Sequence, residues 1–204
     1  MDSFTWFALL SIILNDLISL AFASAPAIVY ALIMRFTKKL AFKEIAKNLG
    51  LTSGVRRYYT YAFAILSLVI FFNLLLRSLG VSISPSPERF SGQPLTFLSL
   101  IQALSFGLVV TGFGEELLFR GLIGGMLGRR LSFWKANIAQ AIFFIVPHLL
   151  ILFDNPSYWP SVVVGPFLLG LILGWLRLRS GSIFPCWIIH GFGNVFSAIL
   201  TMMG

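Results

Sequence analysis

Six apolar runs divide this chain, and several reach or exceed the roughly 20 residues an α-helix needs to cross a bilayer. They fall at about 4–34, 59–79, 95–116, 136–153, 162–176 and 183–203. In hydrocarbon a segment must satisfy its own backbone hydrogen bonds, so runs of this length dictate helices. Composition agrees: 58% of the residues are hydrophobic and 11% charged, against about a quarter charged in soluble domains. The expected fold is an all-α polytopic membrane bundle of about six transmembrane helices. Its first span is long and contains Pro26, so tilt or a kink is expected there. There is no internal repeat, low-complexity tract or nucleotide-binding glycine fingerprint.

The net charge of +8 is read from its distribution. If six spans alternate, every Lys and Arg except Arg77 and Arg89 falls on one side, in segments 35–57, 120–135 and 177–179. The positive-inside bias places these segments in the cytoplasm and both termini outside; it disfavours a nucleic-acid partner and makes the lipid bilayer the expected one. No basic residue precedes the first run, so it does not resemble a cleaved signal peptide. Within 35–57, Phe42, Ile45 and Leu49 stand near helical spacing among lysines. This fits an amphipathic helix on the inner leaflet, and a solvated loop equally well. The lone Cys186 has no disulfide partner and reads as a packing residue.

Polar residues inside the spans are few: Asp16, Glu115, Glu116, His148, His190 and Asn194, with milder cases such as Asn73 and Gln140. Each ionisable group costs about 2.5–3.5 kcal/mol to insert, which makes it a functional candidate. Isolated residues such as Asp16 and Asn73 read as polar ties between helices or as interfacial positions. Glu115, His148, His190 and Asn194 differ, because helix rise places them at similar or adjacent depths in the inner half of the membrane. Glu116 and Arg120 are spaced as a helical ion pair with the acid first. Glu115 points about 100° away and has no local counter-charge. Glu116 is therefore the supporting acid and Glu115 the chemical one. Gly121, Gly124, Gly125 and Gly128 form overlapping G-x-x-x-G spacings, and Gly191 and Gly193 lie beside His190; both sets permit close helix packing.

Three short stretches then carry a resemblance. "EELLFRG", "FIVPH" from Phe144 to His148, and "HGFGN" from His190 to Asn194 match E-E-x-x-x-R, F-x-x-x-H and H-x-x-x-N motifs in order. The chain thus resembles the CPBP family of CAAX proteases and bacteriocin-processing enzymes, also called the type II CAAX prenyl endopeptidase or Abi family, over roughly residues 95–203. The resemblance implies an intramembrane endopeptidase. In it Glu115 is the general base, His148 positions the water, and His190 and Asn194 meet the tetrahedral oxyanion; Glu116, Arg120 and Phe144 support them. It implies membrane-associated, prenylated or leader-peptide substrates. The family name often includes "metalloprotease", and Glu115, His148 and His190 would make a three-ligand zinc set with one open position. No H-E-x-x-H helix motif supports zinc, so no cofactor is the favoured reading.

Two other readings stay open. A proton-coupled transporter can use the same Glu and His residues, and a bacteriocin-immunity or scaffold protein can keep the fold without catalysis. Residues 1–94 are expected to form an amino-terminal transmembrane hairpin with a basic amphipathic loop, and 95–204 a catalytic core of about four helices. The short chain and brief loops suit the inner membrane of a prokaryote.

Overall fold

The computed structural model describes residues 3–80, 88–154, 156 and 159–204. Among them are six helical segments long and apolar enough to cross a membrane, and no strand. The first, α1 (Ser3–Phe36), runs unbroken through Pro26. After α2 (Phe42–Asn48) comes α3 (Arg57–Ser78), the second span. The third comprises α4 (Phe97–Leu104), a π-helical stretch (Ser105–Gly124) and α5 (Gly125–Gly128). It starts at Thr96, whose hydroxyl accepts from the Ser99 N–H while the Ser99 hydroxyl accepts from the Thr96 N–H, closing the first turn.

The third span does not stop near Glu116, as expected, but continues to Gly128. The charges at 115–120 signal an end only if they meet water; here Glu116 and Arg120 are fully buried against each other. Arg120, counted among the loop cations, therefore lies inside the bundle, as does Arg177. The fourth span is α6 (Phe133–Ile145), a 3-10 stretch (Val146–Leu150) and α7 (Ile151–Asp154). Its α-helical ladder gives way at Pro147, which has no N–H to contribute. The fifth is a π turn (Pro160–Val164) leading into α8 (Gly165–Ser180), and the sixth is α9 (Phe184–Met202).

The third span is the centre of the bundle. It packs along α1 on one flank and α9 on another; α6 pairs with α8, and α3 lies on α9 and α8. The first two spans thus dock mainly on different partners. The outer faces are apolar, with Phe22 and Phe153 almost fully exposed, as lipid contact requires. Of the two readings for segment 35–57, the helix is present. Ile45 and Leu49 of its inner face are buried with Ala27, Leu117, Leu122 and Ile183, while Phe42 is exposed. Hydrogen bonds from Val55 N–H to Ser180 O and from Ile183 N–H to Gly50 O tie two loops together at this end. At the other end, Arg77 donates to the carbonyls of Leu200 and Gly204, so the carboxyl terminus lies beside α3 there.

Candidate active site

The third span and α9 cross closely at glycines. A Cβ at Gly112 would lie 2.8 Å from the Gly191 Cα, and one at Gly107 would lie 2.8 Å from the Gly191 carbonyl oxygen. Backbone contact this close brings the residues that flank these glycines, Glu115 and Glu116 on one helix and His190 on the other, within side-chain reach. Glycines 121, 125 and 128 serve other neighbours: Leu49 O, Asn48 O and the Leu178 side chain. Gly193 faces open space.

His190, buried in this crossing, stands between the two acids. Its Nδ1 lies 2.8 Å from Glu116 Oε1, and its Nε2 lies 3.9 Å from Glu115 Oε2. Both glutamates therefore face one imidazole, although α-helical geometry would turn them about 100° apart. The π-helical backbone contributes to this, because i→i+5 bonding puts more residues in each turn and narrows the angle between neighbours. The same Glu116 oxygen accepts from Arg120 Nη1 at 3.0 Å, with both side chains sealed from solvent. Glu116 is thus shared between the arginine expected from sequence and a histidine that spacing did not reveal. Glu115 is partly exposed, and its Oε2 has no hydrogen-bond partner among the described residues.

Phe144 is the hub of the aromatic side. Its ring meets those of Phe119, His148 and His190 edge-on, with centroids 5.2, 4.9 and 5.7 Å away. The Arg120 guanidinium lies over it at 4.0 Å, an attraction that helps offset a buried charge with two unpartnered nitrogens. One turn after Phe144, His148 has its Nδ1 2.9 Å from the Phe144 carbonyl. With Nδ1–H donated to that carbonyl, Nε2 is left to meet a ligand.

Asn194 follows His190 by one turn of α9. Its amide donates to Thr111 Oγ1 at 2.8 Å, and the Thr111 hydroxyl donates to Phe106 O at 2.9 Å. Thr111 was not singled out from sequence; its signal is a hydroxyl one turn before Glu115 inside a span. The structure thus brings Glu115, Glu116, Arg120, Phe144, His148 and His190 into one contact network, with Asn194 held beside it by Thr111. Other polar residues have structural partners: Asn73 bonds its own helix backbone. Gln140 and Asn137 bond Gly170 O and Leu171 O, tying α6 to α8. No three His, Cys, Asp or Glu side chains among the described residues gather closely enough to hold a metal ion.

The family model described as Type II CAAX prenyl endopeptidase Rce1-like matches residues 94–196, just over half of the chain. The chain belongs to this family. The matched stretch contains all six network residues, Asn194 and Thr111, and it places the protein among membrane endopeptidases at the level of the family. No curated protein and no solved structure matches the chain.

Proposed function

We propose that this membrane protein hydrolyses a peptide bond in a membrane-associated substrate, with Glu115 drawing a proton from the attacking water and no metal taking part. The observation that carries this reading is the fixed position of His190 between two carboxylates of different standing. Glu116 is committed to Arg120 and to His190 Nδ1. Glu115 keeps an oxygen without a hydrogen-bond partner among the described residues, 3.9 Å from His190 Nε2. A base needs a lone pair that water can reach: Glu115 is partly exposed, whereas Glu116, whose Oε2 also lacks a partner among the described residues, is sealed from solvent and neutralised by Arg120.

Charges can balance in this site. With Nδ1–H given to Glu116, His190 donates from Nε2 only when the ring carries both protons; the two carboxylates then face His190 and Arg120 with no net charge. That form suits an oxyanion donor. Asn194 gives one amide proton to Thr111 and has a second to offer. His148, with Nδ1 anchored on Phe144 O, presents Nε2 to the water. Once Glu115 has taken the proton, it can return it to the leaving amine, so that water is consumed and the base regenerated. The substrate class follows the family: peptides or proteins held at the membrane, prenylated ones included.

The test compares N-termini in membranes that contain the active chain with those from a Glu115→Gln form. New termini that appear only with the active chain identify the substrates. If both membranes yield the same termini while liposomes with purified protein move protons, the chain is a transporter. The same termini with neither activity would point to a scaffold or immunity role.

A further inference from the structure

At the basic end of the bundle, a cleft of about 450 Å³ opens between the end of α2, the loop after it, α5 and the end of α8. That volume is in the range of small-ligand sites. Arg177 and Arg129 line it, with Lys47 and Thr52 beside them. The Arg177 side chain is more than nine-tenths buried, yet it contacts no carboxylate. Its Nε donates to Arg120 O at 3.1 Å and its Nη2 to Asn48 O at 3.1 Å. Arg129 Nη1 donates to the same Asn48 carbonyl at 3.1 Å, and Nη2 lies 3.3 Å from the Tyr30 hydroxyl. Two guanidiniums therefore converge on one neutral oxygen.

Buried charges are ordinarily paired with an opposite charge, and among the described residues neither Arg177 nor Arg129 has an ion pair with a carboxylate. In the loops at this end the only acid is Glu44, and its carboxylate is spent on the Ala41 N–H at the start of α2. Backbone carbonyls and the Tyr30 hydroxyl support the guanidiniums, and Gly125 and Gly50 let the chain close around them. A Cβ at Gly50 would lie 2.6 Å from Arg177 Nε, and one at Gly125 would lie 3.3 Å from Arg177 Nη2.

We propose that this cleft is an anion site that binds a phosphate group between Arg177 and Arg129, with Lys47 at its mouth. Planar forked donors match phosphate oxygens. The phosphate can come from an anionic lipid headgroup or from a soluble phosphate, and the site is separate from the Glu115–His190 cluster.

The experiment uses the purified full chain in phosphatidylcholine nanodiscs, with melting temperature as the readout at constant ionic strength. One arm titrates inorganic phosphate; the other raises the fraction of phosphatidic acid in the nanodisc. A saturable rise in the phosphate arm assigns a soluble anion, and a rise in the phosphatidic acid arm alone assigns a lipid headgroup. In either case Arg129→Gln should move the midpoint roughly tenfold, as expected for loss of a charge-assisted bond. Arg130→Gln, its neighbour outside the cleft, should leave the midpoint in place. Arg177→Lys keeps the charge and loses the fork, and should weaken binding similarly; if it does not fold, Arg129→Gln decides alone. No saturable rise in either arm, or equal effects of Arg129→Gln and Arg130→Gln, overturns the proposal.

Discussion

Replacing Glu116 with glutamine keeps the side-chain outline and removes one charge from a sealed position. Its Oε1 now accepts from both Arg120 Nη1 at 3.0 Å and His190 Nδ1 at 2.8 Å. The amide oxygen of glutamine can still accept, but without charge assistance, and Arg120 loses the carboxylate that balances it. Removing one partner of a buried pair costs about 3–5 kcal/mol, and a retained acceptor puts the expectation near the lower figure. For a chain of this size that corresponds to a fall in melting temperature of roughly ten degrees. The loss should be coupled to Arg120. Arg120→Met alone strands Glu116, but the double variant leaves neither charge behind and should be more stable than the sum of the two single losses predicts, by about 2 kcal/mol or more. Turnover per folded molecule should also fall roughly 10–100-fold, the scale on which orienting partners of functional histidines act. The assay is melting of the four purified proteins of the cycle in one detergent, with peptide cleavage normalised to folded protein. Additive losses would refute the shared-carboxylate argument, and so would a Glu116→Gln protein that melts and cleaves like the parent.

Further outcomes follow from the same geometry. Asn194→Ala should lower turnover about 10²–10³-fold with folding intact, and Thr111→Val, which removes only the group orienting Asn194, should lower it less; kcat measured on both decides whether the amide works through that contact. Treatment with 1,10-phenanthroline should leave activity in place and metal analysis should find no stoichiometric zinc; one zinc per chain whose return restores activity would establish the metal route. Cysteines placed at Ser53 and Ser91, both exposed, should label from opposite sides, Ser53 being protected in intact cells by the positive-inside orientation; equal labelling would reverse or abolish that orientation.

Apolar length made the spans legible, because a bilayer sets a minimum helix and leaves few other solutions. The pairing of Glu116 with Arg120 was legible for a similar reason: it is local, and helical spacing alone brings the two together. The ends of the third span were not, since charged residues look alike in sequence whether they meet water or each other. Arg120 and Arg177 read as loop cations for that reason, although both are buried. Rotation about a helix axis is also absent from apolar length, and it decides the site. The contact of His190 with both acids depends on a glycine crossing at Gly107, Gly112 and Gly191 and on a π-helical backbone through Glu115 and Glu116. Neither has a strong sequence mark, because glycine stripes recur wherever helices pack closely and π turns have no residue signature. Helix rise put Glu115, His148, His190 and Asn194 at similar or adjacent depths, and the motif resemblance supplied what that rule lacked, a role for each of them. It did not indicate how Glu116 is used. A carboxylate with an arginine one turn away looks satisfied in sequence, and only the packed structure puts His190 Nδ1 on the same oxygen. Support and chemistry are therefore joined through one atom, so the stability and activity of Glu116 variants should move together, whereas those of Glu115 variants should separate.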